Sequence, residues 1–307
     1  MRLLPSFLAA CLAAAVAVPA AAAPPVPLLW KVSDGDNGNV VYLLGSFHML
    51  KPTDYPLSQD VDAAVADAEA MLFEITPDEL ASPAVATGMM RAGLRTDGST
   101  LDEEIGPALA ARLAAWAAAQ PEGSPMTAAV LQRFEPWFAG LTVSILQMTA
   151  MGLDPALGLD RHFMAVAEAQ GKPVAGLETA AQQIALFDGM DPDEQVQMLA
   201  DALDQAAAGP DALEDLHADW RAGDVDALWD GMAADMRMAF PALYRRINVE
   251  RNQAWLPKLA ARLEAPGDDD TLVVVGALHL LGEDGVVEGL RERGYTVERI
   301  CSACEGR

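Results

Sequence analysis

Two phrases at opposite ends of this chain share one form. Val40-Val41-Tyr42-Leu43-Leu44 runs into Gly45-Ser46-Phe47-His48, and Thr271-Leu272-Val273-Val274-Val275 runs into Gly276-Ala277-Leu278-His279. With 24 Gly in 307 residues, a given His has roughly an 8% chance of a Gly three places before it, so two cases among four His stand above coincidence. Continuous apolar, β-branched runs of this kind read as buried strands. A glycine at the strand end lets the chain turn sharply, which puts a side chain a few residues on over the carboxyl edge of the sheet, where ligand sites gather. A protein that uses both phrases at one site must bring its two ends together in one sheet.

The rest of the pattern agrees with that demand. Leu28–Val32 and Val40–Leu44 flank the turn-rich Asp34-Gly35-Asp36-Asn37-Gly38, which predicts a hairpin. Ser58 opens a helical stretch with Val61, Val65 and Ala68 on one face, and Ala70–Ile75 is a short buried strand. From about 79 to 264 the periodicity is mostly helical, interrupted at Pro173-Val174-Ala175 by a short strand. Thr179 with Gln182 forms a capping box, Asp191-Pro192-Asp193-Glu194 is a second helix start, and Gly209-Pro210-Asp211 ends one helix and begins another. Thr271–Val275, a helix over Gly285–Arg293 and a strand over Tyr295–Ile300 close the chain. The expectation is an α/β fold: a central mixed sheet built from the N- and C-terminal segments, flanked by helices and carrying the large helical insertion, in one domain over 23–307.

Arg2, the apolar run Leu3–Val18, Pro19 and the small residues Ala20–Ala23 make residues 1–22 a secretory signal segment, so the mature chain is expected to be periplasmic or secreted. Leu8-Ala9-Ala10-Cys11 has the outline of a lipoprotein box, but the apolar run continues past Cys11, so lipid anchoring is not expected. No later run is long enough to predict a membrane span. Acidic residues outnumber basic ones by 45 to 20, giving a net charge of −25, the wrong sign for neutralising phosphates; nucleic acid is not an expected partner. Cys301 and Cys304, in Cys-Ser-Ala-Cys, read as a local disulfide or a pair of thiols at a chain end rather than a redox or zinc motif. Met232, Met236 and Met238 are read as filling irregular apolar space, not as copper ligands.

Glu74 ends the apolar run Met71-Leu72-Phe73, so it can reach the same sheet edge as the two histidines. Two imidazoles and a carboxylate suit a divalent metal (Zn, Fe, Mn or Co); in zinc hydrolases such a set leaves room for a water whose pKa falls to about 7. Glu74 is open to two roles, third ligand or general base. Arg251 is a candidate for holding a developing oxyanion or a substrate carboxylate, with Asn252 beside it. Asp160 and Glu178 are candidates for acceptors that orient a liganding histidine. His162 points away from Asp160 on its helix and is read as structural, and His217, between Asp215 and Asp219, as solvent-facing. No Gly-x-Ser-x-Gly elbow is present, which argues against a serine hydrolase.

Taken in order, the two Gly-x-x-His phrases, Leu72-Phe73-Glu74, Gly158-Leu159-Asp160-Arg161-His162-Phe163, Gly176-Leu177-Glu178-Thr179, Glu250-Arg251-Asn252 and Gly294-Tyr295-Thr296-Val297 resemble the TraB/GumN family, which includes the Tiki metalloproteases. The resemblance implies an α/β fold related to the erythromycin-esterase and ChaN-like proteins. It also implies a metal-dependent hydrolytic site at His48, His279 and Glu74, acting on a peptide or a small molecule. The alternative on the same scaffold is a non-catalytic protein that holds haem or another ligand, or docks on a partner.

Overall fold

The structure, a computed structural model, describes residues 23–35 and 38–304; the expected signal segment and Asp36 and Asn37 of the predicted turn lie outside them. Six strands form one mixed sheet in the order β4-β3-β5-β2-β1-β6: β1 Leu29–Ser33, β2 Val40–Ser46, β3 Ala70–Phe73, β4 Val174–Gly176, β5 Thr271–Gly276 and β6 Thr296–Ile300. β4, β3, β5 and β2 are parallel to one another. β1 runs antiparallel to both β2 and β6, with Leu29 opposite Leu44 and Ser33 opposite Val40 in the hairpin.

Burial follows position in the sheet. Every residue of β2 and of β5 is buried, as expected of central parallel strands covered on both faces. β1 is buried at Leu29, Trp30 and Val32, while the edge strand β6 is half-buried or exposed throughout. Helix Gln59–Asp67 starts where Ser58 accepts a bond from the Val61 N–H, and buries Val61, Ala64 and Val65. The capping boxes at Thr179 and Asp191 are present, and helix Asp211–Ala222 follows the Gly209-Pro210 break.

Most of the chain between β3 and β5 is helical. It adds apolar clusters of its own, one around Leu101, Leu113, Leu131, Val143 and Leu199, another around Trp137, Met190 and Leu243. Besides β4, helices of this middle return to the sheet. Helix Leu159–Gln170 packs Leu159, Phe163 and Ala167 into the sheet's core, as helix Glu250–Leu263 does with Trp255, Leu256 and Leu259. Among the described residues no helix is long and apolar enough to cross a membrane.

Three expectations need correction or sharpening. His217 is buried, not solvent-facing: its Nε2–H donates to Asp54 Oδ2 at 2.9 Å, and its ring packs on Phe47 and Trp220. Asp215 and Asp219 are each two residues away, about 200° around the helix, so their faces say nothing about that of His217. Met238 is 76% exposed and fills no core space. Cys301 and Cys304 are joined as a disulfide.

Candidate functional site

β2, β3 and β5 are neighbours pointing the same way, so the residues that follow them emerge on one edge. Glu74 is the residue after β3, His48 lies two beyond the end of β2, and β5 ends at Gly276, from which the turn Ala277–Leu280 carries His279. The three side chains meet around Gly276. A Cβ built there would lie 3.1 Å from His48 Nε2, 3.3 Å from Glu74 Oε1 and 3.6 Å from His279 Cδ2. The Gly276 backbone, at φ −50° and ψ 135°, is one any residue adopts, so glycine is required here for room, not for conformation.

Each imidazole is held at Nδ1. His48 Nδ1 lies 3.0 Å from Asp160 Oδ1, which also accepts from the Ser46 hydroxyl at 2.9 Å. Asp160 stands in the first turn of helix Leu159–Gln170. That helix is docked by a bond from the Leu159 N–H to the Phe47 carbonyl and by Gly158, where any Cβ would overlap the His48 carbonyl. His48 stands at the mouth, its side chain 59% exposed. Desolvation of its inner edge disfavours the cation, but the Asp160 hydrogen bond and the charges of Glu74 and Asp160 push the ring up to about 9. Burial likewise opposes charge on Asp160, yet His48 and Ser46 hold it below the ordinary aspartate range.

His279 is buried, and its Nδ1 lies 2.7 Å from Asn252 Oδ1. The Asn252 amide is fixed in turn, because its Nδ2 donates to the Asp284 carbonyl at 2.8 Å and toward Asn248 Oδ1 at 3.4 Å. Asn248 Nδ2 reaches Tyr244 Oη at 3.1 Å, and Tyr244 donates to Asp284. This polar row leaves Asn252 Oδ1 as acceptor, so the proton of His279 sits on Nδ1 and a bare Nε2 faces the site. Burial lowers His279 to about 3, helped by the positive charges of Arg251 and His48 and resisted by Glu74.

Glu74 is held on both oxygens. Oε1 accepts from the Gly276 N–H at 2.8 Å; Oε2 accepts from Arg251 Nη2 at 2.6 Å and Gln183 Nε2 at 3.0 Å. Burial alone would raise its pKa, but His279, Arg251 and His48 together with the Gly276 N–H hold it down at about 2. Glu178, a candidate for orienting a histidine, instead pairs with Arg251 and accepts from Gln183 at 2.8 Å. Arg251 and Asn252 lie on helix Glu250–Leu263, directly after a π-helical turn at Arg245–Val249, an irregularity that re-aims side chains. The Trp255 ring lies 4.5 Å from the His279 ring and 4.9 Å from the Arg251 guanidinium.

The structure thus draws together all seven sequence candidates, His48, Glu74, Asp160, Glu178, Arg251, Asn252 and His279. It adds Gln183, Ser46 and Trp255. His162 packs at a tilt against Tyr55 and edge-on against Phe163, outside this group. Among the described residues no three His, Cys, Asp or Glu side chains already form a metal cage. His48 Nε2, Glu74 Oε1 and His279 Cδ2 border one small cradle, His279 Nε2 lies 2.8 Å from Arg251 Nη1, and each ring is oriented at Nδ1 by an acceptor; imidazole and carboxylate are residue types that can ligate a divalent cation.

The sequence profile of the TraB/PrgY/gumN family matches residues 28–299. The uncharacterised protein YbaP of Escherichia coli (strain K12) is 31% identical over 156 residues, covering 50% of this chain and 56% of that protein, and YbaP of Shigella flexneri matches equally. The chain therefore spans about half the length of the curated relatives it matches. No solved structure matches it.

Proposed function

The chain belongs to the TraB/PrgY/gumN family, and on the geometry of its site we propose that it is a divalent-metal-dependent hydrolase acting outside the cytoplasm, with a peptide bond as the favoured substrate. The observation that carries this reading is the convergence of His48 Nε2, Glu74 Oε1 and the His279 ring on the space above Gly276. A bound divalent cation would supply Lewis-acid activation of water and of a carbonyl at neutral pH.

The chain's own residues divide the remaining work. His48 and His279 present Nε2, oriented by Asp160 and Asn252. Glu74 is better suited to holding the cation than to acting as the base: a carboxylate held near 2 is a poor proton acceptor at neutral pH, and its Oε2 is already occupied by two donors. The exposed His48 stands where substrate enters. The signal-like N-terminal sequence and the Cys301–Cys304 disulfide support an extracytoplasmic setting.

The test is elemental analysis of purified protein, followed by a peptide-library assay with and without chelator. The reading expects a divalent metal with no Soret band, cleavage lost on chelation and restored by Zn, Mn, Co or Fe, and loss of metal in a folded His48→Ala variant. Cleavage that survives complete metal removal would refute it. A visible Soret band with no turnover would establish the haem-binding alternative instead.

A further inference from the structure

Arg251 spends every donor it has inside the protein. Nε is shared between Glu178 Oε1 and Oε2, both at 3.1 Å. Nη2 donates to Glu178 Oε1 at 2.5 Å and Glu74 Oε2 at 2.6 Å, and Nη1 to the Ile247 carbonyl at 3.1 Å and His279 Nε2 at 2.8 Å. A guanidinium has five N–H groups, and all five are satisfied, leaving none for a substrate oxyanion or carboxylate. Two of its acceptors, Glu74 and His279 Nε2, belong to the proposed ligand set. His279 has no other nitrogen to offer, since Nδ1 is committed to Asn252. The guanidinium therefore occupies the one nitrogen that His279 could give a metal.

We propose that Arg251 is a built-in cation that holds the inner half of the site when no metal is bound, and that metal loading requires its guanidinium to release His279 Nε2 while remaining paired with Glu178 and with Glu74 Oε2. This rests on the metal reading above. Glu178 binds the guanidinium through two nitrogens, so it can retain Arg251 when the His279 contact is given up. The Trp255 ring lies 4.9 Å from the guanidinium and 4.5 Å from the His279 ring, so it flanks both partners of the exchange. The competition also selects among metals. A cation that gains little from imidazole, such as Mg²⁺ or Ca²⁺, cannot replace what the arginine contributes at His279, whereas Zn²⁺ or Co²⁺ can.

The experiment is calorimetric titration of metal-free protein with Zn²⁺, comparing wild type with Arg251→Ala and Arg251→Lys. The contact given up is a charge-assisted hydrogen bond, so Arg251→Ala should bind Zn²⁺ about tenfold more tightly, with Arg251→Lys between the two. Removing any positive charge would also favour a cation, so a second measurement separates competition from charge. Millimolar methylguanidinium, which fits the vacated slot, should weaken Zn²⁺ binding to Arg251→Ala and leave wild type unchanged. Where the Ala variant does not fold, the side-chain ¹⁵N resonances of Arg251 in wild type give the answer, and Zn²⁺ should shift them. Equal affinities with no methylguanidinium competition, or unshifted Arg251 resonances at saturating Zn²⁺, would overturn the inference and leave the metal reading standing. Absence of Zn²⁺ binding in both wild type and variant would overturn both.

Discussion

Gly276→Ala separates the integrity of the fold from the use of the site. At φ −50° and ψ 135° the new residue meets no backbone strain, and its N–H still donates to Glu74 Oε1. The methyl group would lie 3.1 Å from His48 Nε2 and 3.3 Å from Glu74 Oε1, a few tenths of an ångström inside comfortable contact. Glu74 cannot yield, being fixed by Gly276, Arg251 and Gln183, but His48 is 59% exposed and can turn outward. Lost unfolded-state entropy favours the variant by about 0.4–1 kcal/mol, while mild overpacking costs about 1 kcal/mol, so the net change in stability should stay within about 1 kcal/mol. Ligand binding responds differently. Metal–nitrogen bonds of about 2.0–2.1 Å require the donors to close around one point, and the methyl group occupies the floor of that space. Zn²⁺ affinity, measured by calorimetry, and peptide turnover should each fall about 100-fold or more, with urea midpoints nearly unchanged. A variant that binds metal like wild type would refute the argument that the three donors share this cradle. A variant destabilised by several kcal/mol would refute the claim that the glycine is there for the site.

Further expectations follow from groups around the site. Asp160→Asn removes the carboxylate that holds His48 up at about 9, so by NMR the ring should titrate near 9 in metal-free wild type and below about 7 in the variant. Asp54 is buried and accepts from His217, the Lys51 N–H and Arg221, which hold its pKa below the ordinary aspartate value although burial alone would raise it. A depressed folded-state pKa contributes stability above the unfolded value near 3.9 and loses it as pH falls through the folded value, so Asp54→Asn should cost about 3 kcal/mol at pH 7 in urea melts and progressively less below pH 4. The Cys301–Cys304 disulfide closes a loop across only three residue steps at the edge of the fold, so replacing both with Ser should lower stability by less than about 2 kcal/mol and leave Zn²⁺ affinity unaltered.

The sheet was legible because its central strands are buried on both faces and so read as unbroken apolar runs; β2 and β5 needed no partner information to be recognised. The same runs ended in Gly-x-x-His, which placed both histidines, and Phe73-Glu74 placed the carboxylate. Strand order could not be read off in the same way. Nothing in the sequence of β3 says that it pairs with β5, more than 190 residues away, and that pairing is what puts Glu74 beside Gly276.

The support around the site was harder to see because helical side chains meet partners that local spacing does not encode. Gln183 stands next to a capping-box residue, Gln182, and only the 109-residue leap to Glu74 gives it a role. One signal was present, however: Tyr244, Asn248 and Asn252 repeat at four-residue intervals along the stretch that leads into and begins helix Glu250–Leu263, whose other buried residues are apolar. Polar residues on a buried stripe must find partners within the protein or leave costly unsatisfied groups, so such a row points inward to something polar that requires it. Here that target is His279, and the row fixes which of its nitrogens carries the proton. The same reasoning applies to His217, which shares its face with Trp220 and not with Asp215 or Asp219. A histidine at an apolar helix position implies a buried acceptor elsewhere, and Asp54, in the turn that follows the His48 loop, is that acceptor.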